Sequence, residues 1–165
     1  ETVMLKFMKN PAMIGAACAL SLAGFSPVFA GSTIRNDMTR CTGTTPAVLI
    51  TVNGVKSSAG KVRVQIYPAT KASWLKKGAW ISRIEVPASK GTMKICMPVP
   101  KAGTYGIAVR HDSNGNGKTD LSKDGGGMSN NPSINVLNLG KPPVGKVSFP
   151  VGEGLKSLSI TMKYM

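Results

Sequence analysis

The segment Asp112-x-Asn114-x-Asn116-Gly117-x-x-Asp120 carries the residue types and spacing in this sequence best suited to chemistry. Oxygens at the first, third and fifth positions of a tightly turning chain converge on one point. The seventh position adds a carbonyl, here that of Lys118, and glycine at the sixth permits the turn. A hard cation such as Ca²⁺ takes roughly six to eight oxygens. The expected ligands are Asp112, Asn114, Asn116, Asp120, the carbonyl of Lys118, and Asp124. Position 12, normally a bidentate glutamate, is Lys123, and two of the early ligands are neutral amides. Lys118 and Lys123 reduce the formal charge of the loop to −1. Calcium binding is therefore expected to be weak, on the order of 10⁻⁴–10⁻³ M. The same residues equally suit a metal-free turn held by side-chain to backbone bonds.

Other reactive residues are few. His111 is the one histidine and stands beside Asp112, where it reads as a base, a ligand or a structural donor. One histidine cannot complete a zinc site of ordinary Cys/His spacing. No Gly-x-Ser-x-Gly elbow and no phosphate-binding Gly-Lys-Ser/Thr loop is present, so hydrolase and nucleotide chemistry have no support and no enzyme activity is expected. Ser73-Trp74-Leu75-Lys76-Lys77-Gly78-Ala79-Trp80 interleaves aromatics with cations. Trp74, Lys76, Lys77 and Trp80 are candidates for contact with a sugar, base or anionic ligand; the alternative is that the tryptophans close one end of a core.

These residues need a scaffold, and the scaffold reads as sheet. Val62, Val64 and Ile66 alternate with Arg63, Gln65 and Tyr67; Tyr105, Ile107 and Val109 alternate with Gly106, Ala108 and Arg110. Leu158, Ile160, Met162 and Tyr164 alternate with Ser159, Thr161 and Lys163. Period-two hydrophobicity marks strands with one buried and one wet face. Further strands are expected at 47–53, 79–86, 91–97, 134–139 and 145–151, with turns at Asn53-Gly54, Ala59-Gly60, Lys90-Gly91 and Ala102-Gly103. No stretch after Ala30 has helical periodicity. About seven to eight strands in one all-β, antiparallel sandwich are the expected architecture, with a barrel as the lesser alternative.

The first thirty residues read as a leader. Lys6 and Lys9 precede an apolar stretch from Ala12 to Phe25, followed by Pro27 and Val28-Phe29-Ala30. That is the pattern of a secretory signal peptide cleaved after Ala30, and it is shorter than the roughly 20 apolar residues of a spanning helix. The expected division is 1–30 signal peptide, 31–46 N-terminal arm and 47–165 sandwich domain. No transmembrane segment is expected in the mature chain. Its destination is the periplasm, the cell surface or the medium. In that setting Cys41 and Cys96 are expected to form a disulfide, pinning the arm across an outer face. The chain of 165 residues carries 21 Lys+Arg against 7 Asp+Glu, a net +14. Alternation puts Lys61, Arg63, Lys94, Arg110 and Lys163 on wet faces, and no run of cations after Ala30 exceeds two. Such a surface keeps a protein soluble or attracts envelope anions, whether lipopolysaccharide, polysaccharide or nucleic acid, without sequence specificity.

The run GTYGIAVRHDSNGNGKTD, Gly103 to Asp120, closely resembles the signature of an uncharacterised bacterial family, domain of unknown function 2141: a Gly-x-Tyr strand entering His-Asp-x-Asn-x-Asn-Gly-x-x-Asp. The resemblance extends over roughly 47–164 and takes in Asn53-Gly54, Gly60-Lys61-Val62-Arg63-Val64 and Ser129-Asn130-Asn131. It implies an immunoglobulin-like or transthyretin-like sandwich in the bacterial envelope, with no established activity. After Asp120 the sequence departs from the family pattern. LSKDGGGM stands where Phe-Gly and Pro-x-Glu-Gly are usual, so a carboxylate that would complete a metal site is missing.

Overall fold

Residues 47–55 and 61–68 form the central strands of two stacked sheets, because their β-branched and apolar residues alternate over a length suited to spanning a core. The computed structural model describes residues 31–120, 122–134 and 140–165. The expected leader and most of the strand expected at 134–139 lie outside the described residues. Strands β1 (Ser32–Ile34), β2 (Ala47–Val55), β3 (Lys61–Pro68), β4 (Ser82–Pro87) and β5 (Gly91–Pro98) are followed by β6 (Gly103–Asp112), β7 (Gly125–Met128), β8 (Phe149–Val151), β9 (Leu155–Thr161) and β10 (Lys163–Tyr164). The larger sheet runs β1-β4-β3-β6-β7-β10, and β8 pairs with the first residues of β6. The smaller runs β5-β2-β9. Between them lie Val48, Ile50, Val52, Ile95, Met97 and Ile160 from one side and Val62, Val64, Ile66, Ile84 and Ile107 from the other, all fully buried. The protein is an all-β sandwich, as the alternation predicts.

Several elements differ from the expectation. Two pairings are parallel, β1 with β4 and β2 with β9. Ser32–Ile34 of the arm is a strand. The strand expected at 79–86 begins at Ser82. The one expected at 145–151 is confined to 149–151: Pro142 and Pro143 cannot donate to a ladder, and Val144–Lys146 turns as a 3₁₀ helix. The final alternating run is split at Met162, with β9 in the small sheet and β10 in the large one. Strand β7 gives no hydrophobic period because three of its four residues are glycine. Gly125 and Gly127 face inward, where a Cβ would collide with the Tyr164 ring and, at 2.7 Å, with Ile160. Only bare backbone fits there. Among the described residues no helix is long and apolar enough to cross a membrane.

Among the described residues the small sheet has two edges without a neighbouring strand, and an asparagine side chain bonds each. Asn36 donates from Nδ2 to the Lys94 carbonyl at 3.1 Å and accepts the Cys96 N–H at 2.9 Å. Asn131 donates to the Ser159 carbonyl at 3.0 Å and accepts the Thr161 N–H at 2.8 Å. Each amide thus stands in for a neighbouring peptide on an edge that would otherwise attract another strand. The Cys41–Cys96 disulfide, with Cα atoms 5.8 Å apart, fastens the arm over β5 beside Asn36. Ile95 and Met97 face the core while Cys96 faces out beneath the arm, as the alternation requires. Closing a loop of 55 residues' separation stabilises the fold by about 4 kcal/mol in the chain-entropy view. Asn131 also holds a left-handed backbone, φ 47°. Asn131→Ala is therefore expected to lower unfolding stability by about 1–3 kcal/mol in urea denaturation. An unchanged midpoint would remove the edge bonding from the account.

Candidate functional site

The 112–124 loop leaves the end of β6 and closes largely on itself. Asp112 Oδ2 accepts the Gly117 N–H at 2.8 Å. Asn114 Oδ1 accepts the N–H of Asn116, and Asn116 Oδ1 that of Lys118. Both amide nitrogens donate to Asp120 Oδ2, at 2.8 and 2.7 Å, and hold its carboxyl below the usual aspartate range. Asp124 accepts from the N–H groups of Ser113 and Asp120. The structure therefore gathers the side chains singled out in the sequence, but with nitrogens rather than oxygens turned towards Asp120. Among the described residues no group of three His, Cys, Asp or Glu is placed to hold a metal ion. One oxygen remains over: Asp112 Oδ1 is buried without a partner.

His111 is fully buried and both ring nitrogens are engaged. Nε2 lies 2.8 Å from the Ala59 carbonyl, which can only accept, so this nitrogen carries the proton. Nδ1 in the neutral ring then accepts the Tyr164 hydroxyl at 2.7 Å, and that oxygen accepts the Lys56 N–H. The chain ties β10 to the end of β2 and to the turn at 59. Of the roles open to His111, the geometry assigns the structural one.

The outer face of the large sheet carries a groove of about 560 Å³. Across it, directly paired residues form a row: Glu85 on β4, Arg63 on β3, Arg110 on β6, Gly126 on β7 and Lys163 on β10. Like charges standing opposite each other, as Arg63 and Arg110 do, destabilise a sheet unless something offsets them. Glu85 offsets part of the charge, 2.6 Å from Arg63 Nε and 3.6 Å from Arg83. Arg110 is held from the loop side, donating to Thr119 Oγ1, the Gly117 carbonyl and, at 3.4 Å, Asp112. Lys76, Lys77 and Lys141 also line the groove together with Asp124, giving seven cations, of which the three arginines pair with Glu85 and Asp112. Arg83 lies over the Trp80 ring, 4.0 Å from its centroid. Burial, then the nearby Arg63 charge, lowers the Arg83 pKa. Arg83 Nε and Arg110 Nε, on two residues of the groove wall, are buried without a partner among the described residues, and so is Trp80 Nε1, which lies against Gly31.

Lys76, Lys77 and Trp80, candidates from the sequence, therefore do reach a common cleft. Trp74 does not. It is buried against Tyr67 in an edge-to-face contact, above Gly106, with Nε1 donating to the Pro142 carbonyl at 2.9 Å. Together with Met128 and Val147 these rings form a second apolar cluster on the sheet face expected to be wet, and Tyr67 is 4% exposed rather than solvated. The sequence reading placed Arg63, Arg110 and Lys163 on outer faces but did not join them. No local pattern in the sequence singles out Arg83 or Gly126.

Fold and groove define a small disulfide-bonded β-sandwich with one strongly basic sheet face. The chain belongs to a family described as "Uncharacterized protein conserved in bacteria (DUF2141)", whose model matches residues 50–159, from within β2 to within β9. No curated protein and no solved structure matches it. The family resemblance drawn from Gly103–Asp120 is thereby established. The matched segment contains Ser129-Asn130-Asn131, whose side chains all bond backbone: Ser129 to Ile107 and Val147, Asn130 to Ser148, Asn131 to β9.

The two tryptophans should part company on truncation. Trp74→Ala is expected to cost about 3–5 kcal/mol of unfolding stability. Trp80→Ala should cost far less in the same denaturant titration, since that ring packs at the rim. Equal losses would mean that both rings serve the core alone.

Proposed function

We propose that this protein is an exported, non-enzymatic binding module of the bacterial envelope that holds an anionic ligand in the groove across β4, β3, β6, β7 and β10. The observation that carries the reading is the gathering of Arg63, Arg83, Arg110, Lys76, Lys77, Lys141 and Lys163 around a single cleft, more cations than Glu85, Asp112 and Asp124 offset. Part-buried arginines with exposed lysines around them favour a ligand that brings negative charge and acceptor atoms. The disulfide and the leader pattern support an oxidising compartment outside the cytoplasm. Envelope anions are abundant there. Inorganic pyrophosphate is the probe, titrated by calorimetry at low salt. Arg63→Gln and Lys163→Gln are each expected to weaken it at least about tenfold, a loss of about 1.4 kcal/mol. Lys94→Gln, on the outward side of the small sheet, should change it little. If Lys94→Gln weakens binding as much as the groove variants do, diffuse surface charge explains the binding and the groove does not.

A second reading concerns the loop, and the unpartnered oxygen of Asp112 favours it. Calcium held there would take Asp112, Asp120, Asp124, the Lys118 carbonyl and the amide oxygens of Asn114 and Asn116, after both amides turn over. Turning them gives up the bonds to the N–H groups of Asn116 and Lys118, which is consistent with weak affinity. At about 5 mM Ca²⁺ a site of sub-millimolar affinity raises stability by about 1 kcal/mol. The thermal midpoint should rise accordingly in the wild type and stay put in Asp120→Asn. A wild-type midpoint indifferent to calcium rejects this reading.

A further inference from the structure

Strand β7 contains a glycine that the protein's own packing does not require. Gly125 and Gly127 face inward, where a side chain would collide with Tyr164 and Ile160. Gly126 faces out, a Cβ built on it meets nothing within 4 Å, and its φ is not in the left-handed region. Glycine in a strand weakens it and often marks a place where another molecule comes close to the backbone. In register, Gly126 lies between Arg110 and Lys163, with Arg63 one strand beyond Arg110. At a strand spacing of about 4.8 Å, the missing side chain leaves a notch roughly 10 Å wide between two cations. Lys163 makes no ion pair among the described residues.

The next outward row along the same strands has a different character. It reads Arg83, Gln65, Ala108 and Met128 in direct pairing. Ala108 and Met128 continue into the apolar cluster, against which Leu75, Trp80 and Ile134 pack. Two kinds of row thus meet in the groove, a charged one at Gly126 and one that ends on the apolar pair Ala108 and Met128 with Arg83 at its far side, and about 560 Å³ is the size of a small-molecule site.

We infer that the groove takes a small amphiphilic anion in one orientation, with a phosphate-type headgroup over Gly126 and an alkyl or aryl body over Ala108 and Met128 towards Trp80. This rests on the anion-binding reading above and adds the class of ligand and its direction. A purely polar polyanion would leave the apolar end unmatched. A neutral amphiphile would leave Lys163, which has no ion pair among the described residues, unmatched.

The experiment titrates the oxidised protein with octyl phosphate below its micelle concentration, inorganic phosphate, and octyl glucoside. Amide and indole N–H shifts are followed by NMR. Octyl phosphate is expected to bind at least about tenfold tighter than either of the others. It should shift Gly126 and Lys163 together with the Trp80 indole N–H. Gly126→Val, which adds a side chain into open space, should abolish binding without lowering the melting midpoint. Shifts at Gly126 and Trp80 in the wild type keep the orientation testable if that variant folds poorly. Inorganic phosphate binding as tightly as octyl phosphate, with loss in Gly126→Val, keeps the anion groove and overturns the amphiphile. Octyl glucoside binding as tightly as octyl phosphate overturns the charged headgroup. Octyl phosphate binding that ignores Gly126→Val and shifts residues elsewhere overturns the seat. If neither phosphate binds and pyrophosphate also fails, both readings fall together.

Discussion

A sheet edge is a row of unpaired N–H and C=O groups, and closing such edges is the constraint that shapes this molecule. The small sheet has only three strands, so two of its three strands are edges. Among the described residues neither is covered by another strand. A primary amide has the donor and acceptor of a peptide bond in one plane, so one asparagine can satisfy the carbonyl of residue i and the N–H of residue i+2 on an extended strand. Asn36 does this for Lys94 and Cys96, and Asn131 for Ser159 and Thr161. Each asparagine must first be delivered to its edge. The arm, paired with β4 through β1 and bonded to β5 through Cys41–Cys96, delivers the first. Ser129 and Asn130, fixed to the backbone of the 147–148 segment, deliver the second.

The same segments then determine what the outer face of the large sheet becomes. Anchoring Ser129 to Ile107 and Val147 holds β7 against β6 and brings Val147 over Gly106, where Trp74 also packs. Half of that face is thereby covered by a second apolar cluster, and the charged residues that remain are confined to one side of it. The 112–124 loop forms the adjoining wall. Whatever its relation to calcium, its bonds from Gly117, Thr119 and Asp112 restrain the Arg110 guanidinium, so loop closure and groove charge are mechanically one system.

How far the sequence discloses this depends on the range of the interaction concerned. Alternation within a strand is local, and it placed Val62, Val64, Ile66, Ile107 and Ile160 in the core, where they are fully buried. The disulfide followed from compartment and from the outward phase of Cys96. Tyr67 had the correct phase but the wrong environment, because a loop several residues downstream folds back to bury it, and no period within β3 reports that. Strand β7 was invisible because glycines carry no hydrophobic signal. The groove was the least legible part. Arg63, Arg110 and Lys163 were each readable as outward-facing, yet their alignment depends on the register of strands up to a hundred residues apart in sequence.

That alignment, rather than the net charge, is what concentrates cations on one face. At physiological ionic strength screening acts over about 8 Å, so cations spread over a whole protein do not sum at any one point. A net +14 distributed evenly would give a soluble protein with weak, featureless affinity for anything negative. Consecutive strands lie about 4.8 Å apart, so the row sets Arg110 and Lys163 each within a screening length of Gly126, with Arg63 one strand further on. The chain then leaves that spot without a side chain. A neutral residue at 126 would have filled the space, and a carboxylate there would have neutralised it. Glycine does neither, so the space between Arg110 and Lys163 stays open while Glu85 and Asp112 offset the arginine charge from either side.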